Sequence, residues 1–523
     1  MFKTLLTLLL LCATSALHAA NYLTFTAEAD SSSFGIHSER FYPRNTSHMS
    51  NTPNVQYSLD KGKTWEALPS DTLILLKRKG EKALLKGMNP EGFSKEDSIY
   101  SRFAMTGRIA ASGSVMSLID GNGESLVIPG EYCFYRLFEK CVSLEQAPQL
   151  PAHTLRRGCY KEMFIECTSL TYAPKLPAQT LEKNCYAGMF KGCTSLTKVP
   201  KLPATTLARE CYRSMFRGCI SLKHAPKLPA TELSEECYEE MFKGCTHLEQ
   251  APKLSSTNLS KGCYSAMFSG CISLTQAPEL PATTLSEDCY KSMFEFCISL
   301  RQAPQLPATS LAKGCYEKMF GRCLSLTHAP ELPATSLAER CYAEMFWGCT
   351  SLTQAPHLHT NPLKVYHERT SVNSADLDHV QFPGVEMKAP SPTLNETISK
   401  DGKWSSKFKD QSANIPSLSF SDNKPHKKRP SHPIGVCSHL EQRKLEINIK
   451  RPTPTSEKGC YYRMFSGCTS LTNVRVSFTE WEDDATTEWL SSVAPTGTFI
   501  CPKELPKEFG ESGIPPRWKI IEN

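Results

Sequence analysis

Several things are scarce in this chain of 523 residues. Beyond its first two dozen positions it has no run of ~20 apolar residues, so no membrane-crossing helix is written into it. Neither sign of charge dominates: 59 Lys and Arg stand against 53 Asp and Glu, a net charge of +6 with no strong basic stripe. Nucleic acid is therefore not an expected partner. A glycine loop of the phosphate-binding type is missing. So is the closely spaced cysteine pair with which soft tetrahedral metal sites usually begin; His357 and His359 form only a weak metal pair. A cysteine nucleophile needs one distinctive thiol beside a base. Most of the 23 cysteines instead recur at equivalent positions, with Cys437 and Cys501 outside the pattern. No catalytic residue, metal or cofactor is assigned.

What the chain does have is a 26-residue unit written nine times without a break. Leading cysteines fall at 133, 159, 185, 211, 237, 263, 289, 315 and 341, and a second series runs eight residues behind, from Cys141 to Cys349. A tandem period of this size means a solenoid, in which each rung contacts only its neighbours. Leu207, Cys211, Met215 and Cys219, with Tyr212 and Phe216 beside them, form an apolar stripe at helical spacing. Ser234 and Ser286 precede it as N-caps, and Gly192, Gly218, Gly244, Gly270 and Gly348 close it as C-caps. The prediction is a short helix of two to three turns in each repeat. The other half, as in Leu222–Pro229, is closed by proline and reads as one extended rung of a narrow sheet or a polyproline-like turn.

The spacing argues against disulfides along the chain. Cys211 and Cys219 would lie roughly 10–12 Å apart on a helix, while bridged Cα atoms need about 7 Å or less. Buried thiols acting as small apolar packers are the expectation.

The wording Cys-Tyr-x-x-Met-Phe-x-Gly-Cys-Thr-Ser-Leu, of which Cys341–Leu352 is one copy, resembles the BspA-like leucine-rich repeat surface proteins of anaerobic bacteria. The resemblance covers residues 128–363 and one distant copy, Cys460–Leu471. It implies an α/β solenoid and a role in adhesion or host recognition, without naming a ligand. Copies drift: Leu137 replaces the methionine, and Ser255 and Ser256 replace Pro-Ala.

The flanks complete the plan. Residues 1–20 read as a secretory signal peptide: Met1-Phe2-Lys3, an apolar run from Leu5 to Leu11, and cleavage after Ala19 or Ala20. Cys12 is the alternative, as a lipidated residue, though Leu11 stands where a small residue belongs. Export follows, to the medium or a cell surface. Residues 21–127 suggest a small β-sandwich that caps the first rung. Within them Ser58–Trp65 looks like the Asp-box hairpin of sialidase propellers, where the motif is structural. Residues 364–455 are a polar insertion with a composition that predicts disorder, and their presence puts the continuity of the last rung in question. Residues 456–523 hold the last repeat and, with Trp481, Trp489, Phe499 and Trp518, a second cap.

Candidate binding residues come from the variable columns of the extended segment. One column holds Lys175, Lys201, Lys227 and Lys253. Stacked ~4.8 Å apart, these like charges repel, which suits an acidic partner. A neighbouring column holds Tyr172, Lys198, His224, Gln250, Gln276 and Gln302, able to hydrogen-bond sugars or peptide backbone. The reading is an exported repeat protein that recognises a protein or glycan on another cell or matrix; its oligomeric state is not written in the sequence. A structural spacer without a specific ligand is the alternative, and a glycan-active enzyme the third.

Overall fold

The computed structural model describes residues 21–40, 52–358, 458–481 and 484–523, all of which belong to one compact unit. The expected signal peptide, Cys12, Cys437 and the 364–455 insertion lie outside the described residues.

Residues 23–112 form eight strands: β1 (Leu23–Ala27), β2 (Ser32–Arg40), β3 (Val55–Ser58), β4 (Glu66–Ala67), β5 (Ile74–Leu76), β6 (Lys82–Gly87), β7 (Ile99–Thr106) and β8 (Ile109–Ser112). A single-turn helix, α1 (Ser117–Asp120), follows, and β9 (Leu144–Gln146) is the extended segment of the first repeat. One sheet has the order β4-β3-β6-β1-β8-β9 and a second the order β5-β2-β7. Alternation buries one face of each strand, as in β1, where Leu23, Phe25 and Ala27 are inside. Phe25 of the first sheet meets Phe34 and Phe103 of the second at 5.3 and 5.0 Å between ring centres. β8 pairs antiparallel with β1 but parallel with β9, so the first sheet runs directly into the repeats.

The repeats correct the helical reading. No α-helix occurs in them among the described residues; the stretch around each leading cysteine is a ribbon of linked turns. In the Cys211 repeat, alternate amides bond within the rung, with Cys211, Met215 and Cys219 donating to the carbonyls of Ala208, Tyr212 and Phe216. The intervening amides of Tyr212, Ser214, Phe216 and Gly218 donate to Cys237, Glu239, Met241 and Lys243 of the next rung, at 2.7–3.0 Å. Every fourth residue is left-handed: Glu210, Ser214 and Gly218 have φ of 56, 53 and 73°. A positive φ at the third position is the type II turn signature. The glycines expected as helix caps, Gly192, Gly218, Gly244, Gly270 and Gly348, occupy the last of these left-handed positions.

The extended halves stack through single parallel bridges instead of a continuous sheet. Tyr172 bridges Lys198, His224 bridges Gln250, and Gln276 bridges Gln302. Between ribbon and extended segment lies the core. Phenylalanines stack at 5.3–5.8 Å from Phe138 to Phe465, and tyrosines at 5.8–6.1 Å from Tyr160 to Tyr461. The phenylalanine stack starts on Phe103 of β7 and ends against Trp489.

The last repeat is continuous with the ninth. Tyr461 stacks on Tyr342 and Phe465 on Phe346, and Asn473 bridges Gln354, across a break of 93 residues beyond one period. A cryptic rung follows: Tyr461, Phe465 and Gly467 donate their amides to Ala485, Trp489 and Ser491, with Glu488 and Ser492 left-handed. The parallel sheet of β10 (Asn473–Arg475), β11 (Thr498–Cys501) and β12 (Lys519–Glu522) closes this end.

Candidate binding face

The two outer faces of a rung carry their charges differently. On the ribbon face, ions pair from one rung to the next. Arg213 meets Glu239 at 2.8 Å, Lys261 meets Glu287 at 2.9 Å, and Lys313 meets Glu339 at 2.7 Å. Arg217 and Lys243 both hold Glu240; burial pushes this carboxyl up, but the two cations outweigh it and bring it down to about 2.

The extended face is different. Lys175, Lys201, Lys227 and Lys253 are exposed in four consecutive rungs, and none forms an ion pair among the described residues. The residues that continue the column are Glu279, Gln305 and Glu331, and Gln149 precedes it, so the basic stretch has two ends. In the parallel column Tyr172, Lys198, His224, Gln250, Gln276 and Gln302 are all exposed. Tyr172 shows 51% of its surface, with the Lys198 ammonium 4.8 Å from its ring centre. Lys223, next to His224, pairs with Glu249 at 3.6 Å, so charge pairing is available on this face and is not used by the lysine column.

The structure brings out a further column. Thr205, Thr231, Thr257, Thr283, Thr309 and Thr335 repeat on the exposed turn after Leu-Pro-Ala (Leu-Ser-Ser before Thr257), with Thr231 donating its amide to Thr205 and Thr335 to Thr309. The signal was present in the Leu-Pro-Ala-Thr wording itself.

The Ser58–Trp65 segment is a hairpin between β3 and β4. Asp60 accepts from the Thr64 amide and hydroxyl and from the Ser58 hydroxyl, and these bonds hold its carboxyl well below the usual carboxylate range. Both oxygens are thus engaged in closing the turn. A shallow cleft nearby, lined by Gln56, Lys86, Met88, Asp120 and Asn122, contains one carboxylate. That group, Asp120, accepts four backbone amides from residues 122–125 at 2.6–3.0 Å. No carboxylate pair converges in this cleft.

Among the described residues no group of three or more His, Cys, Asp or Glu is arranged to hold a metal ion. His357 is described and His359 is not. The 21 described cysteines are buried, and none is in a disulfide. Members of the second series act as donors: the Cys219 thiol reaches the Phe190 carbonyl at 3.1 Å, and the Cys245 thiol reaches that of Phe216 at 3.0 Å.

No described helix is long and apolar enough to cross a membrane. Comparison with curated proteins and with solved structures finds no match. A family model does match: residues 159–301 contain six copies of the BspA type Leucine rich repeat region. Over residues 159–301, the turn ribbons, bridge ladders and aromatic stacks described above are therefore the form that BspA-type leucine-rich repeats take in this chain.

Proposed function

We propose that this protein is an exported recognition molecule that binds a protein or glycan on another cell or matrix through the extended face of its repeats. The repeat family supports an interaction or surface role. The single observation that carries the finer reading is a column of four exposed lysines with no ion pair among the described residues, on a molecule whose ribbon face pairs many charges from rung to rung. Four consecutive rungs present a lysine at the same position, so a ligand with a matching repeat is engaged several times, and weak contacts add through multivalency. In this reading the signal peptide at 1–20 directs export, the region 21–127 caps one end of an α-poor solenoid, and the segment after the last repeat caps the other.

The test is an array of matrix proteins and glycans probed with the full chain and with a variant carrying Lys175→Glu, Lys201→Glu, Lys227→Glu and Lys253→Glu. Saturable binding that the variant loses is expected. Binding kept by the variant moves the site to another face, and no saturable binding by either protein favours a structural spacer.

A further inference from the structure

Resting on that reading, the geometry points to a linear anionic polysaccharide as the occupant of the basic stretch, laid along the stacking axis with Tyr172 at one end. Three observations carry this. First, the four lysines lie in consecutive rungs that repeat at a short interval: the tyrosine and phenylalanine rings of the Lys201 and Lys227 repeats stand 5.8–5.9 Å and 5.5–5.8 Å from their neighbours. Bridged extended segments sit closer still, at ~4.8 Å. A polymer with about one acidic group per sugar residue offers a charge at each short step, so several of its charges can meet successive lysines. An extended acidic peptide presents same-side carboxylates every ~6.8 Å, two residues at ~3.4 Å each, and loses register within the patch.

Second, the patch is bounded. Gln149 lies before it and Glu279 after it, which sets the footprint at about four sugar units. Third, the basic stretch begins beside an exposed aromatic ring. Tyr172 presents a flat apolar body with Lys198 against it, a platform on which a pyranose ring can stack while its acid group faces the ammonium. An external anion that settles between the lysines relieves their mutual repulsion.

Titration calorimetry on the full chain tests this with four probes: a sulfated tetrasaccharide, a tetragalacturonate, a neutral tetrasaccharide and an octaglutamate peptide. Both anionic sugars are expected to bind, more weakly as salt rises, and the neutral sugar is expected not to. Replacing all four lysines (Lys175→Gln, Lys201→Gln, Lys227→Gln, Lys253→Gln) is expected to weaken anionic-sugar binding by on the order of ten- to a hundredfold, taking each exposed pair at its usual small value. The gain-of-charge variant Glu279→Lys extends the column by one rung and is expected to raise affinity for a pentasaccharide about two- to fivefold. Retained protection of the buried thiols from alkylation shows that each variant is folded. Binding of the peptide in place of the sugars overturns the glycan assignment and leaves the repeat face as a recognition surface. Sugar binding that neither variant alters overturns the site. Absence of binding to all four probes overturns the inference, while column-dependent capture on the array still supports the broader function.

Discussion

Cys245 shows what a cysteine contributes to this architecture. Its thiol hydrogen goes to the Phe216 carbonyl, which already accepts the Cys219 amide, so the thiol links one rung to the next as a donor in the core. Burial pushes this thiol up to about 12, as it does for Cys141, Cys159, Cys211 and Cys349. Alkylation and oxidation proceed through the thiolate. The native protein should therefore react with iodoacetamide at a small fraction of its cysteines at pH 8, and at all of them in denaturant; mass spectrometry counts the adducts, and full native labelling would contradict the buried columns. The sign of the pH effect follows from the same shift. Above the ordinary thiol value of ~8.5 the unfolded chain releases protons that the folded chain keeps. Stability is thus fully present below that value and falls as pH rises towards 12, by about 1.4 kcal/mol per thiol per pH unit. Urea midpoints at pH 7.5 and 9.5 measure it, and equal midpoints would refute it.

The turn ribbon is the element on which sequence and structure part. Period, rung boundaries and the buried set were legible: Cys211, Tyr212, Met215, Phe216 and Cys219 are all inside, as the stripe requires. The conformation was not, because four-residue spacing lies close to the helical 3.6. Yet each step of four overshoots a helical turn by about 40°, so Leu207 and Cys219 would end about 120° apart on a helix. The turn ribbon repeats every four residues without drift and keeps both buried. Glycine gave a second clue: Gly188 and Gly192 are four apart within one repeat, and both are left-handed. At Gly218 an added Cβ would meet nothing nearer than 3.8 Å, so Gly218→Ala tests backbone strain alone. A loss of about 1–2 kcal/mol is expected in chemical denaturation. Phe242 stacks on Phe216 and Phe268 at 5.8 Å each, and Phe242→Ala should cost about 3–5 kcal/mol. Because rungs touch only their neighbours, hydrogen exchange should rise in the Cys211, Cys237 and Cys263 repeats first. A uniform rise along the whole chain would show that the rungs do not open locally.

Across the whole molecule, the ends and the break are what composition left hidden. β7 serves as a rung before the first: Phe103 stacks on Phe138, and its carbonyl accepts the Cys141 thiol. Trp489 plays the matching part after the last, in a segment with no repeat wording. Both depend on backbone geometry that many side chains satisfy, so the sequence carries no pattern for them. The lysine column was legible because it repeats; that no described carboxylate pairs with it required the positions of the neighbouring side chains. Since Tyr461 and Phe465 already pack on Tyr342 and Phe346 as any adjacent rungs do, removing 93 residues between Leu358 and Lys458 restores the period and should leave the melting temperature within a few degrees. Loss of a cooperative melt would mean that the excised segment supports the stack.

Rungs that dock on their neighbours in one way throughout also dock on a rung that is new. A duplicated coding unit inserts a finished building block between existing ones, and a deleted unit lets its former neighbours close up, with the tyrosine and phenylalanine stacks merely lengthened or shortened. Unequal exchange between copies of the gene is then tolerated by the fold. Lineages can vary the reach of the protein, and the number of charged rungs it displays, without having to invent a new core.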